Sequence, residues 1–281
     1  MNKTEVMKRL KALGNERYAS TLKRHGVDDN DAFGVSYSEL YKLQKTLGTD
    51  HALAEGLWKT GNHDARILAT LIADPGKMNV TKLDQWVKTA NNQISRDAIA
   101  TVTVNSKVGR RCAEKWIEAK AEGIAAAGWW VLAGLAELPE AFSDAELGRY
   151  LKRIKKEIGG ERNRVKHSMN QTIIGIGIRN ETLRKQALGV AKEIGKVNVD
   201  HGDTSCKTPD AGAYIFKVMA HRRKTRKAAD ERAAKKADGR KTTVKAKTTV
   251  KAAAKKKTTA RKTATKKTAT RKAPRRKVAA R

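Results

Sequence analysis

Residues 53–75, LAEGLWKTGNHDARILATLIADP, decide the fold. Their apolar side chains recur at helical spacing, and Gly61 and Asn62 stand where one helix would end and the next begin. Asp50 is placed to cap the first helix and Pro75 to close the second. Two helices this short cannot bury both apolar faces alone and need further pairs beside them, which is how helical solenoids are built. The stretch therefore predicts an all-α repeat protein.

The rest of the first 220 residues continues as short amphipathic helices with almost no strand signal. Capping boxes at Ser36 and Ser143 predict two helix starts, and Thr81 and Ser95 are interpreted as caps of two more. Pro209 is expected as the first residue of the last helix. The other predicted helices cover residues 4–13, 17–24, 109–122, 124–138, 162–178 and 181–194. Residues 124–138 are apolar nearly all round, which predicts a helix buried between its neighbours. The β-branched residues after Ser95 would also suit a strand.

The net charge of +32 is unevenly spread. Residues 221–281 contain 26 Lys and Arg and three acidic residues, which leaves 35 basic and 26 acidic residues in positions 1–220. Residues 238–281 contain no Leu, Ile, Phe, Trp or Tyr, so a buried core cannot offset the entropy cost of ordering them. The sequence therefore predicts an α-helical repeat domain over residues 1–237 and a disordered, basic DNA-binding tail over residues 238–281.

This charge distribution predicts a polyanionic partner, and nucleic acid is the first candidate. A membrane surface is disfavoured because the tail lacks aromatic and Leu anchors. No apolar run approaches the roughly 20 residues of a membrane span, and the N-terminus lacks a signal-peptide core. We expect a soluble, cytoplasmic, nucleoid-associated monomer.

The sequence predicts neither a metal nor a cofactor. Cys112 and Cys206 are far apart, which indicates a reduced compartment. Asp200 and His201 lie near Cys206, but their spacing matches no structural zinc pattern, so residues 196–207 are interpreted as a hydrogen-bonded loop. The chain also lacks a phosphate-binding Gly-Lys-Thr loop, a nucleophile elbow and a dinucleotide-binding fingerprint.

Several segments resemble the AlkD-type DNA alkylation repair proteins. They are HDARILATLIADP at residues 63–75, VKHSMNQTIIGIGIRN at residues 165–180 and DHGDTSCKTPDAGAYI at residues 200–215, with Trp86 and Asp97 between the first two. The resemblance implies a solenoid of HEAT-like repeats whose basic concave face cradles duplex DNA. Active members of that family are monofunctional glycosylases that excise cationic N3- and N7-alkylpurines without extruding the base.

By its position after WVKTANNQISR, Asp97 corresponds to the family's catalytic carboxylate. Such a group can stabilise positive charge that develops on the deoxyribose as the purine departs. The alternative is an early-turn acid favoured by the helix dipole. Where active members carry two tryptophans and an arginine, this chain has Gln93, Gln171 and Ala126. Because a cation–π contact is worth roughly 0.5–2 kcal/mol, we expect these departures to weaken recognition of a cationic lesion.

Trp86 and Trp130 are candidates for compensating lesion contacts, alongside Gln93 and Gln171, and a core position is the alternative for each tryptophan. Basic residues at helix ends and turns are expected to form a phosphate track along the repeats. These DNA-binding candidates are Lys59, Arg66, Lys107, Arg110, Arg111, Arg162, Arg164, Lys166, His167 and Arg179. The alternative for any one of them is a solvated surface residue.

The sequence leaves three functions open. The first is a repair protein that binds duplex DNA in a basic cleft and excises alkylpurines with Asp97. The second is a binding protein on the same scaffold that holds damaged or branched DNA without cleaving a glycosidic bond. The third is a chromatin-organising protein whose tail provides most of the binding.

Overall fold

The computed structural model describes residues 1–28 and 31–232. The chain divides into two units, Met1–Met219 and Ala220–Arg281. The first unit is built from helices, and no strand occurs in either described range. In the second unit, residues 220–232 are helical. The predicted boundary between residues 237 and 238 and the predicted disordered tail lie outside the described residues.

The first unit contains short helices joined by tight turns. They are α1 Lys3–Ala12, α2 Glu16–Arg24, α3 Tyr37–Leu47, α4 His51–Trp58, α5 His63–Ile72, α6 Val80–Thr89, α7 Gln93–Val104, α8 Gly109–Trp116, α9 Glu122–Leu135, α10 Asp144–Glu157, α11 Asn163–Gly177 and α12 Glu181–Ile194. A 3-10 turn, Pro75–Lys77, follows α5, and residues 211–219 are also helical. The predicted all-α fold is confirmed.

The helices alternate between two layers. In the first layer α3, α5, α7, α9 and α11 pack side by side in that order. The second layer contains α4, α6, α8, α10 and α12, and α4, α8 and α12 pack on α5, α9 and α11 of the first layer. Each pair thus covers the apolar face that its neighbour cannot bury alone, as the short helices of residues 53–75 require.

Helix α9 is the centre of the core. Its residues Ala125, Ala126 and Ala127 are fully buried, which confirms the prediction of a helix enclosed by neighbours. Gly128 and Gly175 let the helices approach closely: a Cβ on Gly128 would overlap the backbone of α8, and one on Gly175 would overlap the carbonyl of Ala133. The small residues therefore set the spacing of α8, α9 and α11.

The caps predicted for residues 53–75 are present. The Asp50 side chain accepts a hydrogen bond from the Leu53 N–H at 3.0 Å, and Asn62 accepts one from the Ala65 N–H at 3.0 Å. Gly61 has a φ of +78°, in the left-handed region that glycine adopts without strain. These interactions span three residues, which explains why the local sequence predicts them.

Three other predicted helix starts are wrong. Asn79, not Thr81, caps α6. Asn92, not Ser95, caps α7, and the Ser95 hydroxyl instead lies 3.3 Å from Nδ1 of buried His63. In the last helix Asp210 accepts the Ala213 N–H at 2.7 Å, so Pro209 precedes the cap. In each case an Asn or Asp one to three residues away provides the capping oxygen, as these side chains commonly do.

Buried Asp64 attaches the N-terminal helices to the repeats. Its carboxylate accepts backbone N–H groups from Phe33 at 2.6 Å, Gly34 at 3.2 Å and Val35 at 3.0 Å. These residues lead into α3, so α5 fixes the position at which α3 begins. No helix in the described ranges is long and apolar enough to cross a membrane.

Candidate functional site

A pocket of about 300 Å³ lies between α7 and α11 of the first layer. It is lined by Gln93, Ile94 and Asp97 of α7, by Arg164, His167 and Ser168 of α11, by His201, Cys206 and Lys207 of the loop before the last helix, and by His25 after α2. We call it the Asp97 pocket. It brings together four residues that the sequence singled out for function.

Asp97 is the fifth residue of α7 and stands one helical turn after Gln93. The Gln93 Nε2 donates a hydrogen bond to Asp97 Oδ1 at 2.7 Å. Burial raises the pKa of Asp97 to about 6, and the Gln93 hydrogen bond and the charges of Arg164 and Arg96 oppose that rise only partly. Asn92 caps α7, so the carboxylate does not satisfy the N–H groups that begin the helix.

Tyr37, at the start of α3, is a further residue near the carboxylate, and the sequence prediction did not include it. Burial, together with electrostatic interactions with Tyr18, Tyr41 and Asp97, raises the pKa of Tyr37 to about 12. The phenol is therefore neutral and able to donate a hydrogen bond. In the sequence Tyr37 directly follows the Ser36 cap, which indicates a helix position but not its proximity to Asp97.

The loop that forms the other wall is bound to one face of α11. Asn163 exchanges hydrogen bonds with the backbone of Asp200, and buried Asn170 donates to the Pro209 carbonyl at 3.0 Å. His167 lies between these two asparagines and contacts Thr208. The spacing of four and three residues places all three side chains on the same stripe of the helix. The predicted hydrogen-bonded loop is confirmed, and it forms a wall of the pocket.

The two tryptophan candidates occupy different environments. Trp86 is buried and stacks on Trp58, with ring centroids 4.4 Å apart and planes 7° apart, so its indole is enclosed in the core. Trp130 is half-buried and stacks on His167 at a centroid distance of 6.0 Å. Gln171 is half-buried on α11 and does not line the Asp97 pocket.

The DNA-binding candidates fall into three groups. Lys59, Lys107 and Arg111 are exposed, whereas Arg66, Arg164, Lys166 and His167 are half-buried. Arg110, Arg162 and Arg179 bind other parts of the chain: Arg110 pairs with Glu114 and Glu146, and Arg162 donates to the carbonyls of Ala119 and Lys120.

Arg179 has a structural role that the sequence did not indicate. Its guanidinium donates to the carbonyls of Ala136 and Phe142 at 3.0 and 2.9 Å, and to those of Leu138 and Pro139. It also pairs with Asp144 at 3.0 Å, and its side chain is only 11% exposed. Arg179 therefore stabilises the turn between α9 and α10, and its donors are already engaged.

Within the described ranges, no group of three or more His, Cys, Asp or Glu residues could hold a metal ion. Cys112 is buried, and burial raises the pKa of its thiol to about 12. Cys206 is exposed at the rim of the Asp97 pocket.

The sequence profile of the DNA alkylation repair enzymes matches residues 6–215, which contain all of α2–α12 and both walls of the pocket. The chain belongs to the DNA alkylation repair enzyme family. The chain is similar to the uncharacterized protein Lin0241 of Listeria innocua, 32% identical over 215 residues, and to the uncharacterized protein Lmo0209 of Listeria monocytogenes, 31% identical. Each match covers 74% of this chain and 93% of the relative.

A solved structure of another protein shares the fold. It is described as a member of a new family related to the HEAT-like repeat DNA glycosylases, with affinity for branched DNA structures. It superposes with a TM-score of 0.72 at 29% identity, covering 79% of this chain and 95% of that one. The HEAT-like solenoid that the resemblance implied is thereby confirmed.

Proposed function

We propose that this alkylation repair family member binds duplex and branched DNA through the layer that holds the Asp97 pocket, and that it does so without excising the base. The observation that carries the proposal is the composition of the pocket. Arg164 and Lys207 are basic, three histidines lie beside them, and Asp97 is the only acidic residue among the described residues that line the pocket. Such a pocket attracts phosphate.

The arrangement of the walls supports contact with the DNA backbone. The basic residues are on α11 and the loop, whereas the carboxylate is on α7. A phosphate on the basic wall would bring the adjoining deoxyribose toward Asp97. Phosphate contacts of this kind determine the position of the DNA but do not read its sequence.

The absence of aromatic walls supports binding without excision. No Trp, Tyr or Phe is among the described residues that line the pocket. Gln93 already donates to the carboxylate, where an indole would be needed to enclose a cationic purine. The solved relative, described as having affinity for branched DNA structures, supports extending the proposal from duplex to branched DNA.

The test is a matched pair of charge reversals in the full chain. Arg164→Glu changes the pocket, and Arg149→Glu makes the same change on α10 of the second layer, where the side chain is 71% exposed. We expect Arg164→Glu to weaken binding of a 25-bp duplex by about tenfold or more and to lower the salt slope by about one. Arg149→Glu should stay within about twofold of wild type. Equal effects of the two variants would refute binding at the pocket.

A second candidate function is excision of N3- and N7-alkylpurines, and the position of Asp97 in a pocket beside Arg164 favours it. Only the ionised carboxylate stabilises an oxocarbenium-like transition state, so excision would increase as the pH rises through about 6. The test is release of base from DNA that contains N7-methylguanine or N3-methyladenine. Release that Asp97→Asn abolishes would establish excision, and no release by wild type would support the binding function.

A further inference from the structure

Two histidines in the Asp97 pocket share one hydroxyl group. Thr208 Oγ1 lies 3.1 Å from His167 Nδ1 and 3.0 Å from His201 Nε2, and the two rings meet edge to face with centroids 5.4 Å apart. The contacts use one nitrogen of each ring. The second nitrogens, His167 Nε2 and His201 Nδ1, lie on the sides of the rings that face away from Thr208, and both rings line the pocket.

The hydrogen bonds among His167, His201 and Thr208 (the trio) depend on whether the two rings are protonated. When both rings are neutral, Thr208 donates its hydroxyl proton to one ring and accepts a hydrogen bond from the other. When both rings are protonated, each donates to Thr208, and the hydroxyl proton becomes available to a third acceptor. The contacts thus persist on protonation, but two positive rings then lie side by side.

Two protonated rings would repel each other and the Arg164 guanidinium, and a bound anion would offset that repulsion. Arg164 of α11 and Lys207 of the loop add positive charge, and His25 lines the same pocket. The acidic groups that face the trio are Asp200 on the loop and Asp97 on α7. A phosphate could accept hydrogen bonds from the outer N–H groups of the protonated rings, and its charge would offset theirs.

We propose that His167 and His201, held side by side by Thr208, bind one phosphate of the DNA backbone, and that the histidines take up protons when it binds. This inference rests on the proposed DNA binding at the pocket. The ligand is a phosphodiester. Because its binding requires proton uptake, the affinity for DNA should increase as the pH falls.

The pKa values of His167 and His201 in the DNA-free protein agree with proton uptake on phosphate binding. Burial, together with the charges of His201 and Arg164, lowers the pKa of His167 to about 4. Burial and Arg164 also lower the pKa of His201, although Asp200 opposes this. Both rings are therefore neutral at physiological pH, and each can gain a charge when an anion arrives.

The experiment measures binding of a 25-bp duplex between pH 8 and pH 5.5 at constant ionic strength. We compare the full-length wild type with His167→Gln/His201→Gln, with Asp97→Asn and with the control His221→Gln, which changes an exposed histidine of the second unit. Lys and Arg do not titrate in this range, so the basic tail contributes no pH dependence. Calorimetry in two buffers of different ionisation enthalpy counts the protons taken up.

For wild type and His221→Gln, we expect affinity to increase by about tenfold or more from pH 8 to pH 6 for each histidine protonated in the complex. Asp97→Asn should lose only the part of this increase that comes from protonation of the carboxylate near pH 6, and should keep the rest. The double variant should show little pH dependence. His201→Gln alone should take up fewer protons than wild type, which keeps the test valid if the double variant does not fold.

Three results would overturn the phosphate site: a flat profile in wild type, an unchanged profile in the double variant, or a profile that Asp97→Asn alone removes, since the proton would then reside on the carboxylate. Normal binding by Arg164→Glu would instead contradict the proposed function itself, so the two failures are distinguishable.

Discussion

Replacing Asp97 by Asn should stabilise the fold at neutral and alkaline pH. Asn has the same shape, and its Oδ1 can still accept the 2.7 Å hydrogen bond from Gln93. What it lacks is a charge in a partly buried site. A charged residue in an environment that disfavours its charge lowers stability, and such residues are typical of functional sites, where activity requires them.

The structure gives the size of the effect. The pKa of Asp97 is raised from 3.8 to about 6, and each pKa unit corresponds to about 1.4 kcal/mol. The full shift would amount to about 3 kcal/mol, and screening by solvent at this partly exposed site reduces the expected gain to about 1–2 kcal/mol. Because the folded pKa lies above the unfolded one, wild-type stability falls as pH rises from about 4 to about 6 and then stays low.

Urea unfolding at pH 4.5 and pH 8 measures this difference. We expect the Asn variant to be the more stable protein at pH 8 and the two proteins to differ little at pH 4.5. Asp203→Asn, the same change at an exposed loop position, should alter stability by less than about 0.5 kcal/mol at either pH. An Asn variant that is less stable than wild type at pH 8 would show that Asp97 is a structural partner of Arg164.

The remaining predictions concern Arg179, the lesion contacts and the basic tail. Arg179→Ala should lower the free energy of unfolding by about 3–5 kcal/mol, since several carbonyls and Asp144 lose their partner, whereas Lys185→Ala on the surface of α12 should change it by less than about 0.5 kcal/mol. If wild type excises alkylpurines, Gln93→Trp should raise its preference for N7-methylguanine over undamaged guanine in base-release assays. Deleting residues 239–281 should flatten the salt dependence of duplex binding, by about 0.9 in slope for each phosphate that the tail neutralises.

The sequence predicted the features that are local in the chain. Asp50 and Asn62 cap their helices through contacts three residues away, and the apolar pattern of residues 124–138 identified the buried helix α9 within about two residues at its start and three at its end. The cap of α7 shows where prediction from local sequence fails. Asn92 and Ser95 are both good caps, and it is the distant His63 that engages Ser95.

The site could be predicted only in part, because its walls come from distant segments. The resemblance identified Asp97, but nothing in the sequence showed that Arg164 or Lys207 would face it across a pocket. The contact between His167 and Thr208 spans 41 residues. Arg179 illustrates the same limit. A basic residue at a helix end can bind a phosphate or donate hydrogen bonds to backbone carbonyls, and the sequence does not distinguish the two.

The central claim is that DNA occupies the Asp97 pocket, and the native thiol of Cys206 tests it directly. Cys206 is exposed at the pocket rim, whereas Cys112 is buried, so alkylation by iodoacetamide reports on the pocket in the unmodified chain. We expect a saturating 25-bp duplex to slow alkylation of Cys206 by about tenfold or more in wild type, and to slow it less in Arg164→Glu. An alkylation rate that bound DNA leaves unchanged would show that the DNA lies elsewhere on the protein.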